Sequence, residues 1–394
     1  MLVKKYEDML SQKSVIRTLS EFATARGKEI GYENVFDYTL GNPSVPVPDC
    51  VNETMIELLK TKSSMEVHGY SPSLGIPSVR EKVAESLNRR FGMHYTADHI
   101  FMAIGAAGAL SHAFRLVTEP GDEVITFAPF FPEYNPYVNL TGAVLKIVPA
   151  NTENFQINFD AFVAAINERT MAVLINTPNN PSGVVYSTET IQKLADILRE
   201  KSKEYGHIIY LISDEPYREI LFDGVDSPYV SKYYDNTISC YSFSKSLSLP
   251  GERIGYVAVN PACADAAKMV VMCGQISRGI GQNCPASLIQ LAVAENLDIT
   301  ADISVYETNM NLIYNELKEL GFTCVKPGGT FYIFPKALEE DAKAFCEKAL
   351  KYDLVLVPAD SFGCPGYFRM SYCIDTEKVE RSLVALRKFV KENY

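Results

Sequence analysis

Residues 240–256 read Cys-Tyr-Ser-Phe-Ser-Lys-Ser-Leu-Ser-Leu-Pro-Gly-Glu-Arg-Ile-Gly-Tyr. An apolar, β-rich run from Thr237 to Tyr241 stops at small hydroxyl residues grouped around one lysine. Lys245 follows Ser242 by three positions and precedes Arg253 by eight. This is an amine nucleophile beside hydroxyls, with a guanidinium near enough in sequence to hold a dianion. Burial and a neighbouring cation lower a lysine's pKa and free its lone pair, the condition for forming a Schiff base. An isolated lysine is ordinarily a solvated surface residue. The apolar strand before this one and the Pro-Gly turn after it argue for chemistry instead.

The run Ser-Phe-Ser-Lys-Ser-Leu-Ser-Leu-Pro-Gly-Glu-Arg-Ile-Gly at 242–255 resembles the cofactor-lysine signature of the class I/II aminotransferases. These are pyridoxal-phosphate (PLP) enzymes of fold type I, in the aspartate aminotransferase superfamily. The resemblance covers nearly the whole chain, and its motifs recur in family order. It implies that Lys245 holds PLP as a Schiff base, with Ser242 and Arg253 on the cofactor phosphate.

Composition is that of an ordinary soluble globular protein. The chain has 394 residues, 47% hydrophobic and 22% charged, enough for one large α/β unit with a satellite. Its 37 basic and 48 acidic side chains leave a formal charge of −11, which disfavours nucleic acid as a partner. No run of eighteen apolar residues predicts a membrane span, and Met-Leu-Val-Lys-Lys-Tyr-Glu-Asp lacks the apolar centre of a signal peptide. Nine cysteines without a C-x-x-C pair or a metal-site spacing read as reduced thiols in a cytoplasmic protein.

Residues 1–30 read as helical, and Gly41-Asn42-Pro43 as a turn after a short strand. The resemblance implies that Gly41 lets the backbone approach the substrate carboxylate. A helix over about 52–62 precedes His68-Gly69-Tyr70-Ser71-Pro72, read either as a loop into a helix capped by Ser78 or, by the resemblance, as the element that sends Tyr70 into the neighbouring subunit's site. That second reading requires at least a homodimer. Around Gly105-Ala106-Ala107-Gly108 a strand, a small-residue turn and a helix start make an anion site from backbone N–H groups and the helix dipole. The resemblance puts the cofactor phosphate on Gly105, Ala106 and Ala107. Phe131, in an aromatic cluster after the strand 123–127, matches the residue that stacks on the pyridine ring.

Further on, the strand 170–176 runs into Thr177-Pro178-Asn179-Asn180-Pro181-Ser182-Gly183, a polar turn by itself. The resemblance assigns Asn180 to the phenolic oxygen of PLP and to substrate binding. A helix over about 187–205 and a strand over 208–212 lead to Asp214. Open α/β sheets put ligand-binding groups at such strand ends. Asp214 resembles the carboxylate that keeps the pyridine nitrogen protonated, and Tyr217 the tyrosine on the phenolic oxygen. After a strand at 255–259 and a helix over about 261–274, Arg278 resembles an arginine that crosses the dimer to a substrate's second carboxylate. Beyond a helix over about 301–320 and a strand at 354–357, Arg369 resembles the residue that binds the substrate α-carboxylate, for which a planar fork is suited.

Alternating strands and helices between about 100 and 260 argue βαβ units and a mainly parallel sheet. The expected architecture is α/β, fold type I: a large PLP-binding domain at 45–295 and a smaller α+β domain built from 1–44 and 296–394. The expected activity is transamination between an L-amino acid and a 2-oxo acid in a homodimer with shared active sites. The alternative on the same scaffold is another PLP reaction such as β-elimination, of the C–S lyase kind, since these motifs bind cofactor without choosing the bond broken. A PLP-fold regulator and a nicotinamide dehydrogenase resting on Gly105 and Gly108 are weaker rivals.

Overall fold

The computed structural model describes residues 2–11, 14–222 and 224–394. Its centre is a seven-stranded sheet of β1 (Ile100–Ala103), β2 (Glu123–Phe127), β3 (Val144–Val148), β4 (Thr170–Asn176), β5 (Tyr210–Asp214), β6 (Thr237–Ser242) and β7 (Gly255–Val259). The spatial order is β1-β7-β6-β5-β4-β2-β3. Every pair is parallel except those made by β7, which runs antiparallel to both β6 and β1. The sheet is covered on both faces, so its central strands are apolar without alternation. Val124, Ala172, Leu174 and Ile212 face one layer, while Ile125, Val173, Ile175 and Leu211 face the other.

The first layer is built by two helices, α2 (Gly105–Val117) and α5 (Ala266–Ile280), and the second by α3 (Thr188–Tyr205). A separate apolar cluster gathers Phe36, Tyr38, Met310, Leu317, Phe345, Leu354, Leu383 and Phe389. It sits around a three-stranded antiparallel sheet of Val357–Pro358, Phe368–Ser371 and Tyr332–Ile333. Chain start and chain end meet there: Phe36 pairs in parallel with Leu354. The N-terminal stretch carries two helices, Lys4–Ser11 and α1 (Val15–Ile30), rather than one. No helix among the described residues is long and apolar enough to cross a membrane.

Three local expectations shift. The strand expected at 208–212 lies at Tyr210–Asp214, because its register pairs Asp214 with Asn176 and makes the carboxylate the last strand residue. The helix expected at 261–274 runs over Ala266–Ile280, so Ile276 to Ile280 are helical. Ser78 does not cap its helix: Pro77 occupies the first turn, and Ile76 precedes it without a side-chain cap bond.

Candidate active site

The C-terminal ends of β4, β5 and β6 and the start of α2 open into a cavity of about 340 Å³. Lys245 enters from the short helix α4 (Phe243–Ser246), which begins where β6 ends. Its Nζ donates to the Gly41 carbonyl at 2.5 Å. Burial pulls the amine down to about 8; Arg253 and Arg369 act in the same direction, and the Cys373 thiol opposes them. The amine is therefore far closer to its neutral form than a surface lysine.

Asp214 lines the same cavity as Lys245. Its Oδ2 accepts a hydrogen bond of 2.6 Å from the Tyr134 hydroxyl, while Oδ1 is buried without a partner. Burial pushes this carboxyl up to about 7; the Tyr134 bond works against that rise and Glu215 adds to it. A buried carboxylate oxygen without a donor is costly. A protonated ring nitrogen would supply the missing donor.

Arg369 comes from the small antiparallel sheet and is 2% exposed. Its Nη1 donates to Asn180 Oδ1 at 3.0 Å, its Nη2 to the Thr39 carbonyl, and its Nε is buried without a partner. The guanidinium lies 4.6 Å from the Tyr332 ring and 5.0 Å from the Phe362 ring. Asn180 is braced in turn, its backbone N–H donating to Asn176 Oδ1 at 2.7 Å while Asn176 Nδ2 donates to the Asp214 carbonyl at 2.9 Å. Tyr217 and Tyr332 pair their hydroxyls at 3.1 Å.

At the other end, Ala106 and Ala107 line the cavity in the first turn of α2. Gly105 holds φ at +74°, and a Cβ there would lie 2.7 Å from Arg253 Nη2. Glycine thus keeps the guanidinium against the helix start. Arg253 also anchors Nη1 on the Pro250 carbonyl at 2.8 Å. Ser242 caps α4, accepting from the Ser244 N–H at 3.1 Å and donating to the Ser244 hydroxyl at 2.6 Å. A Cβ on Gly41 would fall 1.8 Å from the Tyr332 hydroxyl, so this close approach needs glycine.

The cavity thus brings together Gly41, Ala106, Ala107, Phe131, Asn180, Asp214, Tyr217, Ser242, Lys245, Arg253 and Arg369, with Gly105 directly behind. Two of the expected residues lie elsewhere in the chain. Tyr70 is fully exposed beside a second hollow shared with His68 and Cys284. Arg278 is exposed in the last turn of α5, outside the cavity lining. Three contributors escaped the sequence reading. Tyr134 is three residues from Phe131, but its partner is eighty positions away. Asn176 was read only as a strand residue, and Ile16 only as part of a helix.

An anionic phosphate, a basic ring nitrogen and an aldehyde would each meet a counterpart here, so the residues at the C-terminal edge of the sheet fit PLP. Residues 33–386 match the family Aminotransferase class I and II. An aspartate aminotransferase of Thermotoga maritima is 30% identical over 387 residues, covering 97% of this chain and 98% of its own. The aromatic-amino-acid aminotransferase 2 of Thermococcus litoralis is also 30% identical, covering 92% and 93%. Among solved structures, an amino transferase from Eubacterium rectale superimposes with a TM-score of 0.97 at 49% identity over the whole of both chains. The Thermotoga maritima aspartate aminotransferase superimposes with 0.86 at 29% identity, over 96% and 97% of the chains.

The chain belongs to the class I and II aminotransferases, with the fold type I architecture. It is a PLP-dependent aminotransferase acting on amino acids, and these likenesses do not favour the β-elimination alternative.

Proposed function

We propose that Lys245 is the residue that carries PLP and moves the proton during transamination. The observation that supports this best is the convergence on one cavity of a lysine pulled to about 8, an unpartnered Asp214 oxygen and an unpartnered Arg369 nitrogen. Asp214 Oδ1 would hold the proton on the ring nitrogen, and Asn180 and Tyr217 would approach the phenolic oxygen. Gly105, Ala106, Ala107, Ser242 and Arg253 would bind the phosphate through backbone N–H groups, a hydroxyl and a guanidinium. Phe131 would lie against the ring face.

When bound, PLP supplies the carbonyl that takes up the amino group and the electron sink that stabilises charge at the substrate's Cα. Arg369 binds the α-carboxylate through its fork, and Gly41 lets the backbone come close to it. Lys245 Nζ would take the proton from Cα and deliver it to the C4′ carbon of PLP, near neutral pH, because its pKa is depressed toward the working range. Amino acids and 2-oxo acids are the substrates that fit the family. The names of the relatives range over aspartate, aspartate/prephenate, aromatic amino acids and N-acetyl-LL-diaminopimelate.

We further propose a large cofactor domain at 45–295 and a small domain from 1–44 and 296–394, supported by the separate apolar clusters on and off the seven-stranded sheet. A homodimer is supported by the full exposure of Tyr70 together with Met65, Ile56, Leu59 and Val271, apolar groups that a second copy would cover. Tyr70 would then reach the partner's phosphate, and Arg278, exposed and outside its own subunit's cavity, would face the partner's site. Nine free cysteines, six of them buried, support a reducing compartment, and we assign the cytoplasm.

The test is a half-reaction. Holoenzyme mixed with an amino acid alone should convert one equivalent of bound cofactor to the amino form and release one equivalent of 2-oxo acid. Release of ammonia instead would overturn the transfer mechanism.

A further inference from the structure

The tripeptide Thr39-Leu40-Gly41 spans the two substrate anchors. The Thr39 carbonyl accepts from Arg369 and the Gly41 carbonyl accepts from Lys245 Nζ. The residue between them, Leu40, is pinned by its own carbonyl, which accepts from the Ser371 hydroxyl at 2.9 Å. A substrate held by its α-carboxylate at Arg369, with its Cα within reach of Lys245 Nζ, would lie along Leu40.

Leu40 keeps 49% of its surface exposed, an apolar side chain only half covered by protein. It lines both the cofactor cavity and a second cavity of about 670 Å³ beneath α1. The walls common to the two are Ile16, Leu40 and Phe131, all apolar. Besides this neck, the second cavity is also lined by Arg17, Glu21 and Lys28 of α1 and by Glu133, whose charges cancel in sum. Within the cofactor cavity the described residues include three cations, Lys245, Arg253 and Arg369. With Arg369 assigned to the α-carboxylate, Lys245 to the cofactor and Cα, and Arg253 at the helix start, none of the three is assigned to a substrate side chain.

We infer that Ile16 and Leu40 form an apolar side-chain subsite, and that the amino donors are amino acids with apolar side chains, aliphatic or aromatic, rather than dicarboxylic ones. The inference rests on the roles assigned above to Lys245 and Arg369. A second carboxylate one methylene from Cα meets the neck, where an ionised group gains no partner and loses its water. An aliphatic or aromatic side chain there removes apolar surface of its own and of Leu40 from water.

The test compares kcat/KM for leucine, methionine, phenylalanine and aspartate, alongside calorimetric binding of two unreactive acids, 4-methylpentanoate and succinate, to the holoenzyme. One or two buried methylenes discriminate by about 10–200-fold. The apolar donors should exceed aspartate by at least about tenfold, and 4-methylpentanoate should bind more tightly than succinate. Ile16→Arg should reverse both orders by placing a cation in the neck. Preference of the wild-type enzyme for aspartate and succinate would overturn the inference and leave the assigned roles standing, since a partner's cation would then fill the need. Failure of every donor, with neither acid bound, would overturn the assigned roles and this subsite with them.

Discussion

The Tyr134 hydroxyl donates to Asp214 Oδ2 at 2.6 Å, leaving Oδ1 buried and free of any partner. One carboxylate oxygen is fixed by the protein, and the other faces the cavity. Tyr134 opens the short helix Tyr134–Asn139 that follows β2, Asp214 ends β5, and β4 lies between those two strands in the sheet. Tyr134→Phe should remove a hydrogen bond to a charged group worth about 1.5–3 kcal/mol. PLP affinity, measured by titration of the apoenzyme, should fall by about 10–150-fold. Asp214→Ala should cost more in kcat, because the ring nitrogen then loses its counter-charge altogether. Wild-type affinity and turnover in both variants would remove Asp214 from the cofactor.

Lys245→Ala should retain PLP only weakly and lose turnover by several orders of magnitude. Borohydride treatment followed by mass measurement separates attachment from mere binding. The wild-type chain should gain the mass of reduced cofactor and the variant should not; a gain in the variant would point to another lysine.

The depressed pKa of Lys245 sets a pH dependence whose sign is determined. The nucleophile is the neutral amine, so cofactor capture by the apoenzyme should quicken as pH rises toward about 8 and level off above it. For stability, the unfolded chain binds the extra proton between about 8 and the ordinary 10.5, so this group's contribution grows with pH across that window and is a constant penalty below it. Stopped-flow capture rates that stay flat from about pH 6.5 to 9 would contradict the first expectation.

Arg369→Lys should damage every donor about equally. It replaces a fork bonded to Asn180 and Thr39 with a point charge, and a buried charge-assisted pair of this kind is worth about 2–5 kcal/mol. Comparing kcat/KM on leucine and aspartate checks it. A loss confined to one donor would move Arg369 from the α-carboxylate to the side chain.

Mixing an inactive Tyr70 variant with an inactive Lys245 variant should restore part of the activity, since one hybrid site then receives both good residues. Subunit exchange is verified first by mass. No recovery after exchange would place Tyr70 outside the partner's site.

Much of the site was legible from local patterns. Lys245, Asp214 and Asn180 each follow a run of apolar strand residues, and buried parallel strands end where ligand groups gather. Gly41 and Gly105 announce close backbone approaches that a Cβ forbids. The two-residue displacement of β5 and the five-residue displacement of α5 were not legible, because register and helix extent are decided by partners distant in sequence.

By itself, then, the sequence determined the chemistry available: an amine after a strand end, a small-residue helix start for an anion, a carboxylate and a guanidinium in apolar settings, and an alternation of strands and helices that admits few topologies. Tertiary structure alone decided which atoms remain unpartnered and what stands between the anchors. Tyr134 meets Asp214, Thr39 meets Arg369, and Ile16 comes to line the same cavity as Leu40, only after the sheet is assembled and the chain's two ends pack together. Hydrogen bonding and burial act over a few ångströms, whereas these partners are separated in sequence by as many as 330 positions.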